Sequence, residues 1–179
     1  MDTYETVITQ RAVKAYRPDP LPEELVLKLL EAARMSQSAL NRQPWEFVVV
    51  TDRDKIAKIA ELSETPYLAD APLVIAVVAH PFVIGGEPWH KLDTARAVQN
   101  MMLVAWAEGV GSCWIGRDHT DTEGVKRLLN IPKELELLTV VPFGYPAYKI
   151  TGRRKRRKAL GEIAHWGQYG QREKPASLW

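Results

Sequence analysis

A single domain in which helices alternate with short buried strands is the fold class this sequence predicts, on three observations. The chain has 179 residues, a length at which one domain buries a sizeable core without disulfide or metal staples. Hydrophobic residues make up 46% and charged residues 26%, far from the polar balance of disordered chains. Apolar runs of strand length, Phe47-Val48-Val49-Val50 and residues 73–78 and 137–143, are interleaved with segments of helical periodicity, and no repeat or low-complexity linker divides them.

Taken in order, Asp2 can cap a first helix carrying Tyr4, Val7 and Ile8. Pro22 suits the first turn of a second, with Glu23 and Glu24 at its positive end and Leu25, Leu29, Leu30 and Ala33 as its apolar face. That helix stops before Gln43-Pro44. Residues 47–50 then read as a buried strand, Asp52 as the cap of a helix bearing Ile56, Ile59 and Leu62, and residues 73–78 as a second buried strand. The longest helix is expected over residues 93–108, ended by Gly109 and Gly111; its Ala, Met and Leu on several faces suit a central or dimer-forming position. Residues 112–115 give a short strand, 125–129 a short helix, and 137–143 a last clear strand before Gly144-Tyr145-Pro146. From residue 147 the chain is basic and without strong periodicity. This tail, 147–179, has too little apolar surface for a core of its own, yet it carries Trp166, Tyr169 and Trp179, so it is expected to pack on the domain or on a neighbouring subunit.

Several chemistries lack support. No apolar run approaches the roughly eighteen residues of a membrane span, and the first residues lack the basic start and apolar stretch of a signal peptide, so the cytoplasm is the expected location. Cys113 is the single cysteine, and His80, His90, His119 and His165 are scattered, which argues against disulfides and metal centres alike. There is no Gly-x-Gly-x-x-Gly or Gly-Lys-Ser/Thr loop for a Rossmann or P-loop phosphate site, and no Gly-x-Ser-x-Gly elbow for hydrolysis. No side chain is expected to act as a catalytic nucleophile, so reactivity would have to come from a cofactor.

Two constellations remain. Arg11 and Lys14 follow the first helix, and Arg153, Arg154, Lys155, Arg156, Arg157 and Lys158 run without an intervening acid in a chain whose net charge is only +2. Arginine forks and lysine point charges suit a terminal phosphate or the electron-rich edge of a ring, and solvated surface charge is the competing explanation. The second constellation is the polar loop of residues 36–45, between a helix and a buried strand, where Ser38, Asn41 and Gln43 offer donors and acceptors and Pro44 stiffens the entry to the strand. A well-made turn would need the same residues. Four of the six tryptophans, Trp45, Trp89, Trp114 and Trp166, lie in or beside loops or element ends, where they suit a site, an interface or core packing.

Together these pieces resemble the FMN-dependent nitroreductase family over essentially the whole chain. Residues 10–16, Gln-Arg-Ala-Val-Lys-Ala-Tyr, are similar to that family's Arg-Arg-Ser-x-Arg/Lys-x-Phe/Tyr opening, and residues 38–45 to its Ser-x-x-Asn-x-Gln-Pro-Trp segment. Residues 93–100 and 109–116 resemble its dimer-interface helix and the flavin-facing loop after it; Phe143-Gly144-Tyr145-Pro146 and Arg157-Lys158-Ala159-Leu160 resemble its closing strand and phosphate-binding tail. The resemblance implies an α+β fold with a central mixed, mainly antiparallel sheet, helices on both sides, and an intertwined homodimer with FMN at the subunit interface. It also implies hydride transfer from NAD(P)H through flavin N5 to a small acceptor such as a nitroaromatic or quinone, in a ping-pong cycle.

For individual residues it implies Arg11 on the phosphate side, Lys14 at the flavin N1/O2 edge, and Lys155 and Arg157 on the phosphate. Ser38 and Asn41, with Gln43 beside them, would approach from the other subunit, and Ile115 and Gly116 would offer backbone groups near the ring. Gln10 and Ala12 depart from the pattern: Ala12 occupies a cofactor-lining position where the family often has a phosphate-binding serine. Leu40 replaces a small residue before Asn41, and Glu64-Thr65-Pro66-Tyr67 stands where the family often places a polar side chain. Other flavin reactions on the same fold (dehalogenation, flavin reduction, an oxidase step), flavin storage without turnover and a basic nucleic-acid-binding module are the competing functions. The last is disfavoured because no basic stripe accompanies the run at 153–158.

Overall fold

A computed structural model describes residues 1–116, 120–150 and 157–174. Helix α1 (Thr3–Thr9) is capped by Asp2, whose carboxylate accepts the Glu5 N–H at 2.8 Å. α2 (Glu23–Arg34) starts after Pro22 with Glu23 and Glu24 in its first turn and Arg34 in its last, charges that complement its dipole. After a 3₁₀ turn at Ala39–Asn41 come β1 (Trp45–Val50) and α3 (Arg53–Leu62), the latter capped by Asp52 onto the Lys55 N–H. A second 3₁₀ turn, Pro66–Asp70, leads into β2 (Leu73–Ala79), and α4 (Trp89–Ala107) follows. β3 (Gly111–Ser112), α5 (Thr122–Leu128), β4 (Glu136–Gly144) and the single turn α6 (Leu160–Ile163) complete the described elements.

The strands form one sheet in the order β1-β2-β4-β3, and every adjacent pair is antiparallel. Among the described residues the parallel component of the expected mixed sheet is one bridge, Ala12 with Ser112, closed by the Val13 N–H donating to the Ser112 carbonyl at 3.0 Å. β2 lies between β1 and β4 with both faces covered, so all seven of its residues are buried. Its alternation divides the core in two. Val74, Ala76 and Val78 face Ile56, Ile59 and Ala60 of α3, while Leu73, Ile75 and Val77 face Leu29 and Ala33 of α2 and Ala97, Val98, Met101 and Ala105 of α4. Helices therefore flank the sheet on both sides, as expected of an α+β protein.

Two expectations are corrected. The long helix begins at Trp89 rather than near residue 93, because Pro88 supplies the break and the four residues after it are already helical. The strand expected over 112–115 pairs only at Gly111 and Ser112; continuing the register would set Cys113 opposite Pro142, which has no N–H for the ladder. The described part of the tail contributes one helical turn, α6, closed by the Ala159 N–H donating to the Glu162 carboxylate at 2.7 Å. Among the described residues of the tail, Leu160, Ile163 and Tyr169 are largely exposed, and Trp166 is half-buried. Trp179 lies outside the described residues.

Candidate functional site

The segment after α1 is drawn against the sheet edge by the Ala12–Ser112 bridge, and this fixes where its basic residues emerge. Gln10, Arg11 and Ala12 line a cavity of about 460 Å³ together with Met102 of α4 and Arg157 of the tail. A smaller cavity of about 190 Å³ shares Arg11 and Ala12 and adds Tyr148, Lys149 and Ile150. Three of the sequence-derived site residues, Arg11, Ala12 and Arg157, are thus brought together from opposite ends of the chain. Two arginines lining one cavity, beside the small side chain of Ala12, suit a phosphate monoester, since arginine forks match phosphate geometry. Lys155 lies outside the described residues.

Lys14 lies two residues further on. Its Nζ sits 5.6 Å from the centre of the Tyr67 ring, within the range of a cation–π contact. The Tyr67 hydroxyl is 3.6 Å from Cys113 Sγ; burial first, and then the thiol contact, push the phenol well above its ordinary pKa and keep it protonated. Ile115 is buried, and its carbonyl accepts the Thr139 hydroxyl at 2.9 Å, so that backbone oxygen is already engaged within the chain. Gly116 is exposed with open space where a Cβ would stand, and its carbonyl accepts from Thr120 at 3.1 Å. Neighbouring Trp114 is 40% exposed, which leaves an aromatic face beside this strand end.

The loop carrying Ser38, Asn41 and Gln43 is closed on itself: the Gln43 N–H donates to Ser38 Oγ at 3.0 Å, and the Gln43 amide donates to the Asn41 carbonyl at 3.2 Å. Leu40, Asn41 and Gln43 all have left-handed backbone, at φ 53°, 54° and 48°. Asn tolerates that region through its short polar side chain; Leu does not, and single residues held there cost on the order of 1–3 kcal/mol. The loop is anchored to α4 near Asp93, whereas Met102 borders the Arg11–Arg157 cavity. These positions on α4 are about 13 Å apart along the axis at the usual helical rise. One chain therefore does not gather Ser38 and Asn41 around the cavity of its own Arg11.

Sequence reading missed Met102, Tyr148, Lys149 and Tyr67. Nothing local marks them; they reach the site through the packing of α4, the turn after β4 and the turn before β2. Gln10, which departs from the family's opening, lines the same cavity and accepts from Gln99 Nε2 at 3.0 Å, which ties the segment to α4. Among the described residues no group of three or more His, Cys, Asp or Glu could hold a metal, and no helix is long and apolar enough to cross a membrane.

Comparison with known proteins bears on this arrangement. Over residues 7–71 and 62–145 the chain matches the sequence model of the nitroreductase family. A relative from Methanothermobacter thermautotrophicus, named provisionally as an NADH dehydrogenase/NAD(P)H nitroreductase, is 36% identical over 152 residues, covering 82% of this chain and 78% of that protein. A crystal structure of a protein with the same provisional name from Parabacteroides distasonis superposes with a TM-score of 0.81 at 30% identity, across 93% of this chain and 98% of that one. The iodotyrosine deiodinase of Thermotoga neapolitana is 25% identical over 169 residues, covering 80% of this chain and 88% of that protein.

Proposed function

The chain belongs to the nitroreductase family and is an oxidoreductase, and on that footing we propose that it binds FMN and moves hydride from NAD(P)H to a small acceptor such as a nitroaromatic or quinone, by a ping-pong cycle in a homodimer. When bound, FMN would supply the hydride redox chemistry that none of this chain's side chains offers. The protein's part is to bind, orient and stabilise charge. Arg11 and Arg157, with Lys155 beside the latter in sequence, hold the phosphate by charge-assisted hydrogen bonds, and Ala12 leaves room between them. Lys14, held over the Tyr67 ring, would offer its positive charge to the electron-rich edge of the bound ring. Ser38, Asn41 and Gln43 meet the ring from the partner chain, and Ile115 and Gly116 line its near side. The cytoplasm is the compartment this reading takes, with a reducing environment matching the single thiol.

The observation that carries the reading is the single cavity bordered by Arg11 and Arg157 from opposite ends of the chain. It is tested by the visible spectrum of the purified protein, followed by chromatography of the heat-released cofactor. FMN is expected; FAD, or no flavin after incubation with excess FMN, overturns the reading. Reductive dehalogenation is a second reaction for the same site, favoured by the similarity to an iodotyrosine deiodinase. A panel of nitroaromatic, quinone and halophenol acceptors against the reduced protein separates the two.

A further inference from the structure

We propose that Asp93 is a positioning residue for the loop of Ser38, Asn41 and Gln43, and that FMN affinity depends on it although it lies outside the cofactor cavity. The inference rests on the FMN reading above. Asp93 is fully buried in the second turn of α4, and a carboxylate is costly to bury unless its oxygens are satisfied. Because α4 starts four residues earlier, this carboxylate does not cap its own helix. One oxygen accepts the Ala39 N–H at 2.8 Å and the other accepts Arg96 Nη1 at 2.9 Å. The first of these bonds reaches the loop at the residue before Leu40 and Asn41, whose left-handed backbone needs support from outside the loop.

The other end of the loop is held from the same helix. Arg42 lies 4.9 Å from the centre of the Phe82 ring, and Phe82 in turn bonds through its backbone to the buried His90, one turn before Asp93. α4 thus holds the loop directly at Ala39 and, through Phe82, at Arg42, and Asp93 makes the one charge-assisted bond to its backbone among the described contacts.

An amide and a methyl at position 93 should behave differently. In Asp93→Asn the amide oxygen still accepts from Ala39, while its NH₂ turns toward Arg96, a half-exposed side chain that can withdraw into water. In Asp93→Ala the acceptor is gone. FMN titration of the full-length chain should give a dissociation constant raised about tenfold or more for Asp93→Ala and within about threefold of wild type for Asp93→Asn. Hydrogen exchange should accelerate over residues 36–44 in the Ala variant and stay unchanged in α3. If Asp93→Ala fails to fold, Ala39→Pro removes the donor from the other side, at the first position of a 3₁₀ turn behind an extended Ser38, where proline is tolerated. Ala39→Pro should weaken FMN in the same way.

A folded Asp93→Ala, or Ala39→Pro, that binds FMN like wild type overturns the inference. So does an Asp93→Asn chain that loses FMN as severely as Asp93→Ala, since a general need for the buried charge would then explain both. Failure of the wild-type chain to bind FMN would instead sink the cofactor reading itself.

Discussion

Arg11 and Arg157 illustrate how little of a site a single residue reveals. Each is one basic residue among the 24 lysines and arginines of the chain, and composition favours neither over Lys28 or Arg34, which serve in surface ion pairs. What separates them is a shared cavity. If both the tail and the segment after α1 hold the phosphate, the double substitution of Lys155→Ala and Arg157→Ala should remove two charge-assisted contacts of about 1.5 to 3 kcal/mol each. The FMN dissociation constant should rise by about a hundredfold or more in a fluorescence titration. Unaltered affinity would reduce the run to surface charge. Tyr67 makes the complementary point: its segment reads in sequence only as a departure from the family's pattern, yet it provides the ring on which the Lys14 ammonium rests.

At the level of elements, the weight falls on the short β3 and the segment that bridges to it. A Cβ at Gly111 would stand 2.5 to 2.8 Å from three side-chain atoms of Val13, which is itself fully buried and, being β-branched, has few rotamers to escape into. Gly111→Ala should therefore push the strand and the 11–14 segment apart, at a cost of about 1 to 3 kcal/mol typical of overpacking. Arg11 and Lys14 move with that segment, so the same variant should bind FMN more weakly. Thermal unfolding and a flavin titration on one preparation test both; a variant as stable as wild type would show that the contact relaxes freely. The helix caps were legible beforehand, since Asp2 and Asp52 act through neighbouring N–H groups within their own first turns. The extent of β3 was not, because it is set by Pro142 on a strand about thirty residues away.

For the whole molecule, the unfinished surfaces are the informative ones. Tyr4, Val7 and Ile8 on α1 and Leu160, Ile163 and Tyr169 in the tail are about half exposed or more. The Ser38–Gln43 loop and the Arg11 cavity lie at separate positions along α4. A homodimer in which one chain's loop completes the other chain's cavity accounts for both features. Mixing tests it: Asn41→Asp and Arg157→Ala each damage both sites of their own homodimer. A heterodimer gathers the two lesions into one site and leaves the other intact. Activity should return toward half the wild-type value per dimer in purified heterodimers. No recovery, or an active monomer in light scattering, would contradict the shared site.

By itself the sequence determined most of the element types, their order and the family resemblance, because periodicity, caps and turn residues act over a few positions and were readable one segment at a time. It also pointed to Arg11, Lys14, Ser38, Asn41 and Arg157 as candidates through motif order. Only the tertiary structure decided that Arg11 and Arg157 share a cavity with Gln10 and Met102, that Tyr67 underlies Lys14, and that Asp93 is buried to hold a loop more than fifty residues earlier. Such contacts join residues far apart in the chain. They depend on how α4 crosses the sheet and where β3 stops, and no local propensity encodes either.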